Sequence, residues 1–289
     1  MRRMQDARVT PLIVLALATA AIASAQSYPI RMSTPDHAGQ SYMFTGAGSK
    51  VSKTSTGDRV VNSEDYQVSF EGRAEILEVD KGGRAVKIAF TVQRFTKAAE
   101  NATVDLLEAG SVILADGSQK KPFSLKGGTL DEAAQEAFSI VYPKHKPDDV
   151  SDDDVFGTRD LKRIGDSWPI HPEKAYDSMK DAGFSIPEGH LSGTVRLVAK
   201  DRVASTDCLS IRGELLADAI AAELPNGVTL ERGNMQGVFR GCFPLDGSGL
   251  SRKEGADITV QMRAASKDGA KFDVIFSQKS DDIWVAVDK

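Results

Sequence analysis

The sequence predicts a mainly β (α+β) protein of antiparallel curved sheets with two or three short helices. The clearest strand is Arg84–Gln93, where the even-numbered residues from 86 to 92 are large and apolar. Val68–Ile76 alternates similarly, and Asp80–Gly83 between the two runs has the composition of a hairpin turn. Because each strand has one polar and one apolar face, the sheets should be antiparallel. Three further runs alternate in the same way: 191–197, 258–262 and 272–276.

Residues 1–25 have the three parts of a secretory signal peptide. The first nine residues hold three arginines and one acid, Pro11–Ile22 is apolar, and Ala23–Ala25 is a small-residue cleavage site. We expect cleavage between Ala25 and Gln26 and export to the periplasm or the cell exterior. The alternative, an uncleaved anchor, is disfavoured because a spanning helix needs about 20 apolar residues. No later window approaches a membrane span, so no transmembrane segment is expected in the mature chain.

The length and charge of the mature chain restrict its function class. Removing the 25-residue signal from the 289-residue chain leaves 264 residues, and the formal net charge changes from −5 to about −7. This length suits one large domain or two small ones. Phosphate binding needs clustered Lys and Arg, so a nucleic-acid partner is not expected.

The two cysteines, Cys208 and Cys242, both lie in the exported part of the chain. An oxidising compartment favours their pairing, and no third cysteine competes. We therefore predict a disulfide; two buried free thiols are the alternative.

Two helices are predicted with their ends. Thr129 and Glu132 have the spacing of a capping box before an apolar stripe that Pro143 ends. A second helix should run from Pro172 to Gly183, with Pro in its first turn and Gly just past its end. The stretch 213–224 is ambiguous, and its alanines favour a third helix by propensity.

A weak internal repeat suggests two related β units. An offset of 116 residues places Trp168 on Trp284, the chain's only tryptophans, each two residues after an aspartate. We therefore divide the mature chain into a unit at 26–165, with one helix and an acidic connection, and a unit at 166–289, with the disulfide. The connection, Pro143–Asp160, is rich in Pro, Lys and Asp and should be solvated.

No catalytic or cofactor motif has the required spacing, so no catalytic residue and no cofactor are assigned. Gly46–Lys50 is similar in composition to a phosphate loop but lacks its spacing, and a mobile turn between strands is expected instead. The only metal candidates are the carboxylates of an acidic run, which would supply the hard oxygen ligands that calcium takes but lack the EF-hand spacing. They are Asp148, Asp149, Asp152, Asp153 and Asp154.

The sequence resembles exported bacterial β-rich proteins of unassigned function at three places: Gly165–Pro169, Cys208 and Phe243–Asp246. The resemblance covers about half of the mature chain. It implies export and a β-rich fold, and no functional residue is carried over.

The leading hypothesis is a noncatalytic exported module, periplasmic or at the cell surface, that binds an apolar small molecule or an envelope protein. The alternative is a secreted hydrolase whose site is assembled from dispersed residues. Converging titratable groups in a pocket would indicate the enzyme, and an apolar cavity would indicate the carrier.

Overall fold

The computed structural model describes residues 26–287, except 34, 101, 144–145, 148, 182–183, 223–227 and 248–250. The predicted signal peptide, with Ala25 of its cleavage site, therefore lies outside the described residues. The strands are β1 (Ser27–Tyr28), β2 (Ser41–Thr56), β3 (Arg59–Val79), β4 (Ala85–Ala99), β5 (Ala102–Asp105), β6 (Val112–Asp116), β7 (Phe123–Leu125), β8 (Lys162–Arg163), β9 (Ser167–Pro169), β10 (Phe184–Ser185), β11 (Leu191–Val203), β12 (Thr206–Ala217), β13 (Ala221–Ala222), β14 (Thr229–Pro244), β15 (Arg252–Ala265) and β16 (Lys271–Ala286). The helices are α1 (Glu132–Val141), α2 (Asp152–Phe156) and α3 (Pro172–Asp181).

Twelve strands form one open antiparallel sheet, which confirms the mainly β prediction. Across the sheet the order is β7-β6-β4-β3-β2-β16-β15-β14-β12-β11-β9, and β5 pairs with β4. The first long strand, β2, pairs with the last, β16, so these two strands lie side by side at the centre of the sheet. The predicted hairpin is the β3–β4 connection, where Asp80 Oδ1 accepts hydrogen bonds from the N–H groups of Gly82 and Arg84 at 2.8 and 2.9 Å.

The helices cover one face of this sheet, which we call the helix face, and the opposite face carries ion pairs. Arg240 bonds Asp257 on the opposite face at 2.6 Å, and Arg263 bonds Asp273 there at 2.7 Å. This division into an apolar and a polar face is the pattern predicted from the alternation of the strands.

The helix face carries two separate hydrophobic cores. Core 1 lies under α1 and is rich in aromatic side chains: Phe138 of α1 packs on Phe70 and Phe90, with ring centroids 5.2 and 5.1 Å apart. Core 2 lies over β11, β12 and β14 and is mostly aliphatic. Trp168 is buried in core 2, where its Nε1 donates to the Phe156 carbonyl at 2.7 Å.

The prediction of a mobile turn at Gly46–Lys50 was wrong, because these residues lie within β2. The glycines there make room for α1. A Cβ on Gly46 would lie 2.8 Å from Val141 Cβ, and one on Gly48 would lie 2.5 Å from Ile140 Cγ2. Two glycines on the helix face therefore allow the helix to approach the strand backbone closely.

The two predicted helices form at the expected places in the chain, but the N-cap of the first differs from the prediction. The N-cap of α1 is Asp131, whose side chain accepts from Ala134 N, rather than Thr129. The second helix, α3, begins at Pro172 as predicted, and Gly183 beyond it lies outside the described residues. No described helix has both the length and the apolar character to cross a membrane.

The third helix, expected at 213–224, was wrong over 213–217, which form the end of β12. Here β12 pairs with β11 on one side and with β14 on the other, and Leu215 and Ala217 enter core 2. Strand pairing and burial on both sides outweigh the helix propensity of the alanines.

The predicted solvated connection at Pro143–Asp160 is instead partly packed. It contains α2, from which Val155 is buried in core 2 and Phe156 stacks on Phe239 at 5.2 Å between ring centroids. The hydrophobic side chains Val155 and Phe156, which follow the acidic run, hold the segment against the sheet.

The disulfide prediction is confirmed: Cys208 and Cys242 are bonded, with their Cα atoms 5.4 Å apart. They lie on the paired strands β12 and β14, on the face opposite the helices. Val203 and Ile283 pack around the bond. It therefore covalently joins two strands within one half of the sheet.

Positions that the predicted repeat relates to each other lie in different kinds of strand in this sheet. At the offset of 116, the separate strands β6 and β7 both fall on the single strand β14. Trp168 lies on the three-residue edge strand β9, and Trp284 lies on β16 at the sheet centre. Tyr28, from the first predicted unit, is part of core 2. The duplication and the division at 165/166 stay predictions.

Candidate functional site

A cleft of about 730 Å³ lies on the helix face between the two cores, above the central strands β15 and β16. The walls are formed by Met32, Ser33, Pro35 and Asp36, by the β3–β4 turn, by the end of α1 and by the start of α2. Its floor consists of helix-face side chains of the two strands: Arg252, Glu254, Ala256 and Ile258 from β15, and Ser280, Asp282 and Trp284 from β16.

Arg252 is a fixed cation in this floor. Its Nη1 lies 3.2 Å from Asp36 Oδ1, and its Nε lies 3.2 Å from Glu254 Oε1. Its guanidinium carbon lies 4.7 Å from the ring centroid of Trp284 and 5.5 Å from that of Tyr42. Burial lowers the pKa of Arg252, but Asp36 and Glu254 outweigh burial and raise that pKa above its usual value. The guanidinium is thus held by two carboxylates and two aromatic rings.

Asp36 is the buried anchor for this arginine. Its side chain is only 6% exposed, and its Oδ1 also accepts a hydrogen bond from the Tyr42 hydroxyl at 3.1 Å. Its backbone N–H donates to the Gly83 carbonyl at 2.7 Å. Burial and then the Asp36 carboxylate raise the pKa of Tyr42 to about 12, which keeps this hydroxyl protonated as a donor.

Glu254 and Asp282 lie directly opposite each other on β15 and β16. Burial raises the pKa of Glu254, and Arg252 opposes that rise. Burial and then the Glu254 carboxylate raise the pKa of Asp282 well above its usual value. Among the described residues, the buried Oδ1 of Asp282 has no hydrogen-bond partner. The pair therefore favours retention of a proton at a pH where an exposed carboxyl would be ionised.

Hydrogen bonds fix the N-terminus of the short helix α2 at the wall of the cleft. The Ser151 N–H donates to Asp154 Oδ2 at 2.9 Å, and the Asp154 N–H donates to Ser151 Oγ at 3.1 Å, which is a reciprocal capping box. Asp153 accepts hydrogen bonds from the backbone N–H groups of Met32 and Ser33, at 2.6 and 3.0 Å. These contacts hold α2 against Met32 and Ser33, and Asp152 of α2 lines the cleft.

Asp152 makes the stability of the fold dependent on pH. Burial, and then the Glu254 carboxylate, raises the pKa of Asp152 to about 7, while Arg84 opposes the rise. The unfolded chain releases this proton near pH 4. The folded state therefore binds the proton more tightly, and the resulting stabilisation, complete below about pH 4, is lost as the pH rises towards about 7. In urea unfolding, the free energy of unfolding should fall between pH 5 and pH 8, and the fall should be smaller for Asp152→Asn than for the wild type.

A matched control is Asp257→Asn on the opposite face. Arg240 lowers the pKa of Asp257, so the contribution of this carboxylate changes only at acidic pH, below the range tested. This variant should keep the wild-type difference between pH 5 and pH 8. Equal losses in the wild type and Asp152→Asn would contradict the assignment.

The other members of the predicted calcium run mostly bind the backbone. Asp149 Oδ2 accepts from the Lys146 N–H at 2.7 Å, Asp153 and Asp154 make the contacts given above, and Asp148 lies outside the described residues. Over the described part of the chain, no group of three or more His, Cys, Asp or Glu side chains is arranged to hold a metal ion. The calcium site stays a prediction, and these contacts do not support it.

Comparison with known proteins assigns no family to this site. No family model and no curated protein matches the chain. A solved lipovitellin structure has a TM-score of 0.34 at 8% identity; the match covers 87% of this chain and 25% of lipovitellin, so this chain spans about a quarter of that protein. P47 from Clostridium botulinum A2 has a TM-score of 0.19 at 8% identity, with 80% of each chain covered.

A LolA superfamily protein from Nitrosomonas europaea has a TM-score of 0.14 at 9% identity, with 86% of this chain and 88% of that chain covered. These scores are too low to support a functional assignment.

The charged floor was not predicted from the sequence, although the sequence contains a signal for it. The predicted apolar face of β15 consists of even-numbered residues, Ile258 to Met262. Continued towards the N-terminus, the same parity reaches Glu254 and Arg252, and in β16 it reaches Asp282. Charged residues in phase with a buried face indicate a buried polar site.

Proposed function

We propose that the chain is an exported, noncatalytic binding protein that holds a small amphipathic molecule in the central cleft. The observation that carries the proposal is the cleft itself. Its volume of about 730 Å³ lies within the usual range of small-molecule sites. Its lining combines apolar side chains with nine charged residues of the described chain, and among these Arg252 is held in place by Asp36 and Glu254.

The two ends of the cleft differ in polarity. The polar end is formed by Asp36, Arg252, Glu254 and Asp282. The apolar end begins at Ile258 and Phe239 and borders core 2. An amphipathic ligand matches this gradient, with its polar group at the floor carboxylates and its hydrocarbon part towards core 2.

The apolar end continues along the helix face beyond the cleft. Val260 and Met262 follow Ile258 at alternate positions on β15, and Phe276 lies opposite Val260 on β16. Met262 and Phe276 are only partly buried at the edge of core 2. This surface offers further contact area to a hydrocarbon chain.

Export is part of the proposal. The disulfide between Cys208 and Cys242 is consistent with an oxidising compartment. The signal segment and cleavage before Gln26 remain sequence predictions. In this proposal the mature protein acts in the periplasm or outside the cell.

The test is to purify the full chain from its native host and analyse it by native mass spectrometry before and after denaturation. We expect a mature chain beginning at Gln26 and a small amphipathic molecule released on denaturation. Ala256→Trp, which places an indole in the cleft floor, should reduce the bound molecule at least tenfold, because the indole occupies ligand volume. Val238→Trp, on the opposite face of the sheet, is the control and should retain the molecule. Protein that starts at Met1, or that never carries a ligand, would overturn the proposal.

A second candidate, hydrolysis, is favoured by one observation: titratable groups converge in the cleft. Glu254 and Asp282 face each other with raised pKa values, an arrangement that can separate acid and base roles. Hydrolysis requires that Glu254→Gln reduce turnover of a hydrolysed substrate by a factor of about 100 or more. A co-purified ligand released unchanged after prolonged incubation would favour binding.

A further inference from the structure

We infer that the cleft ligand carries an organic ammonium group, which binds Glu254 and Asp282 with its hydrocarbon part directed over Ile258. This inference rests on the proposed binding function and specifies the ligand class. It is carried by the arrangement of charge, the unpaired buried oxygen and the apolar extension of the cleft, each of which restricts the ligand independently.

The lining of the cleft has an excess of acidic groups. Arg84 and Arg252 are its basic residues among the described part of the chain, against seven acidic ones. Three of the acidic side chains accept hydrogen bonds from backbone N–H groups: Asp80, Asp149 and Asp154. The acidic residues lining the cleft are Asp36, Asp80, Asp149, Asp152, Asp154, Glu254 and Asp282.

Arg252 does not neutralise this excess. Its Nη1 and Nε are directed to Asp36 and Glu254, and its guanidinium lies against the rings of Trp284 and Tyr42. A ligand carboxylate would have to compete with two protein carboxylates for the same guanidinium. A ligand cation instead takes the place of the proton that the empty floor retains and leaves the contacts of Arg252 intact.

The Asp282 carboxyl interacts with the Trp284 side chain, and its Oδ1 is enclosed without a partner, so a ligand donor reaches that oxygen when the carboxyl turns towards the cleft. This oxygen has no hydrogen-bond partner among the described residues, and Asp282 lines the cleft. A buried polar atom without a partner is costly, so a donor from a ligand is favourable there. An ammonium group supplies three donors and a positive charge at one point.

Binding of a cation should release a proton. Burial raises the pKa of Glu254, and burial with Glu254 raises the pKa of Asp282, so the empty floor retains a proton. An ammonium ion favours the ionised carboxylates and displaces that proton. The charged and titratable groups that act on this pair from the helix face are Asp36, Tyr142, Asp152 and Arg252, and Asp281 acts on it from the opposite face; Arg84 also lines the cleft.

The test compares three probes with the same chain length: octylamine, 1-octanol and octanoate, each titrated calorimetrically into the full mature protein. We expect octylamine to bind at least tenfold more tightly than the other two. Its affinity should rise with pH, because the ammonium stays charged while the carboxyls, whose pKa values are raised by burial, ionise. Titrations in buffers of different ionisation enthalpy should show proton release.

Asp282→Asn keeps the shape of the side chain and removes its charge. It should weaken octylamine binding by about 10- to 100-fold, which corresponds to a lost charge-assisted hydrogen bond. It should leave 1-octanol binding within about twofold, which separates a lost ligand contact from a damaged fold. Asp257→Asn on the opposite face is the matched control and should bind octylamine as the wild type does.

Equal binding of octylamine and 1-octanol, unchanged in Asp282→Asn, would overturn the ammonium assignment while leaving the binding function in place. Tighter binding of octanoate would also overturn it and would assign Arg252 as the ligand contact. Absence of binding for all three probes overturns the assignment, and the co-purified molecule then decides the binding function separately.

Discussion

Arg252→Met should destabilise the protein by about 3–5 kcal/mol, because it leaves the Asp36 carboxylate buried without its cation. The side chains of Arg252 and Asp36 are 12% and 6% exposed, so solvent replaces little of the lost interaction. Methionine preserves much of the apolar stem that packs against Trp284. Urea unfolding of the wild type and the variant at pH 7 measures the difference.

Arg240→Met is the control on the same sheet. Arg240 also binds two carboxylates, Asp257 and Asp281, but on the face opposite the helices, where the partners are 42% and 35% exposed. This variant should lose only about 0–1 kcal/mol. The Arg252→Met/Asp36→Asn double variant should recover part of the loss, because the unpaired charge is removed. Similar losses for Arg252→Met and Arg240→Met would contradict a buried ion pair.

Replacing both Cys208 and Cys242 by alanine should cost roughly 3–4 kcal/mol by the chain-entropy estimate. The bond closes a loop with a sequence separation of 34 residues, which the unfolded chain otherwise explores freely. Urea unfolding of the double variant and the wild type, both without reductant, measures the loss. Adding reductant should lower the free energy of unfolding of the wild type and leave that of the double variant unchanged.

This prediction separates the disulfide from the side-chain packing around it. Cys208 and Cys242 are both buried beside Val203 and Ile283, so alanine also removes contacts there. If reductant leaves the wild-type midpoint unchanged, the bond does not stabilise the fold. If the double variant loses stability and reductant has no effect on the wild type, the loss comes from packing alone.

Local patterns in the sequence predicted the elements whose signals lie within a short stretch. The alternation around Arg84–Gln93 identified β4, and Pro172 identified the start of α3. The same reasoning failed at 213–217, because the helix propensity of the alanines is weaker than pairing with two neighbouring strands. It also misassigned Gly46–Lys50, where the reason for glycine is a helix about 90 residues away in the chain.

The site was harder to predict than the fold, because its groups come from distant parts of the chain. Asp36 and Arg252 are separated by 216 residues, yet they form one ion pair. The carboxylates of the acidic run were predicted to be metal ligands. In the structure Asp153 and Asp154 accept hydrogen bonds from backbone N–H groups, and Asp152 lines the cleft. The sequence marked the floor through the phase of Arg252 and Glu254 with the apolar face of β15, and of Asp282 with that of β16.

By itself the sequence determined a β-rich chain, the two polarity faces of its strands and the one possible disulfide pair, because alternation and cysteine number are local or countable properties. The tertiary structure decided that β2 and β16 join in one sheet, that two cores leave a cleft between them, and that Arg252, Glu254 and Asp282 meet at its floor. The physical reason is that strand order and register bring together residues that no short segment relates. Burial then changes the proton affinity of those residues, which depends on all their neighbours at once.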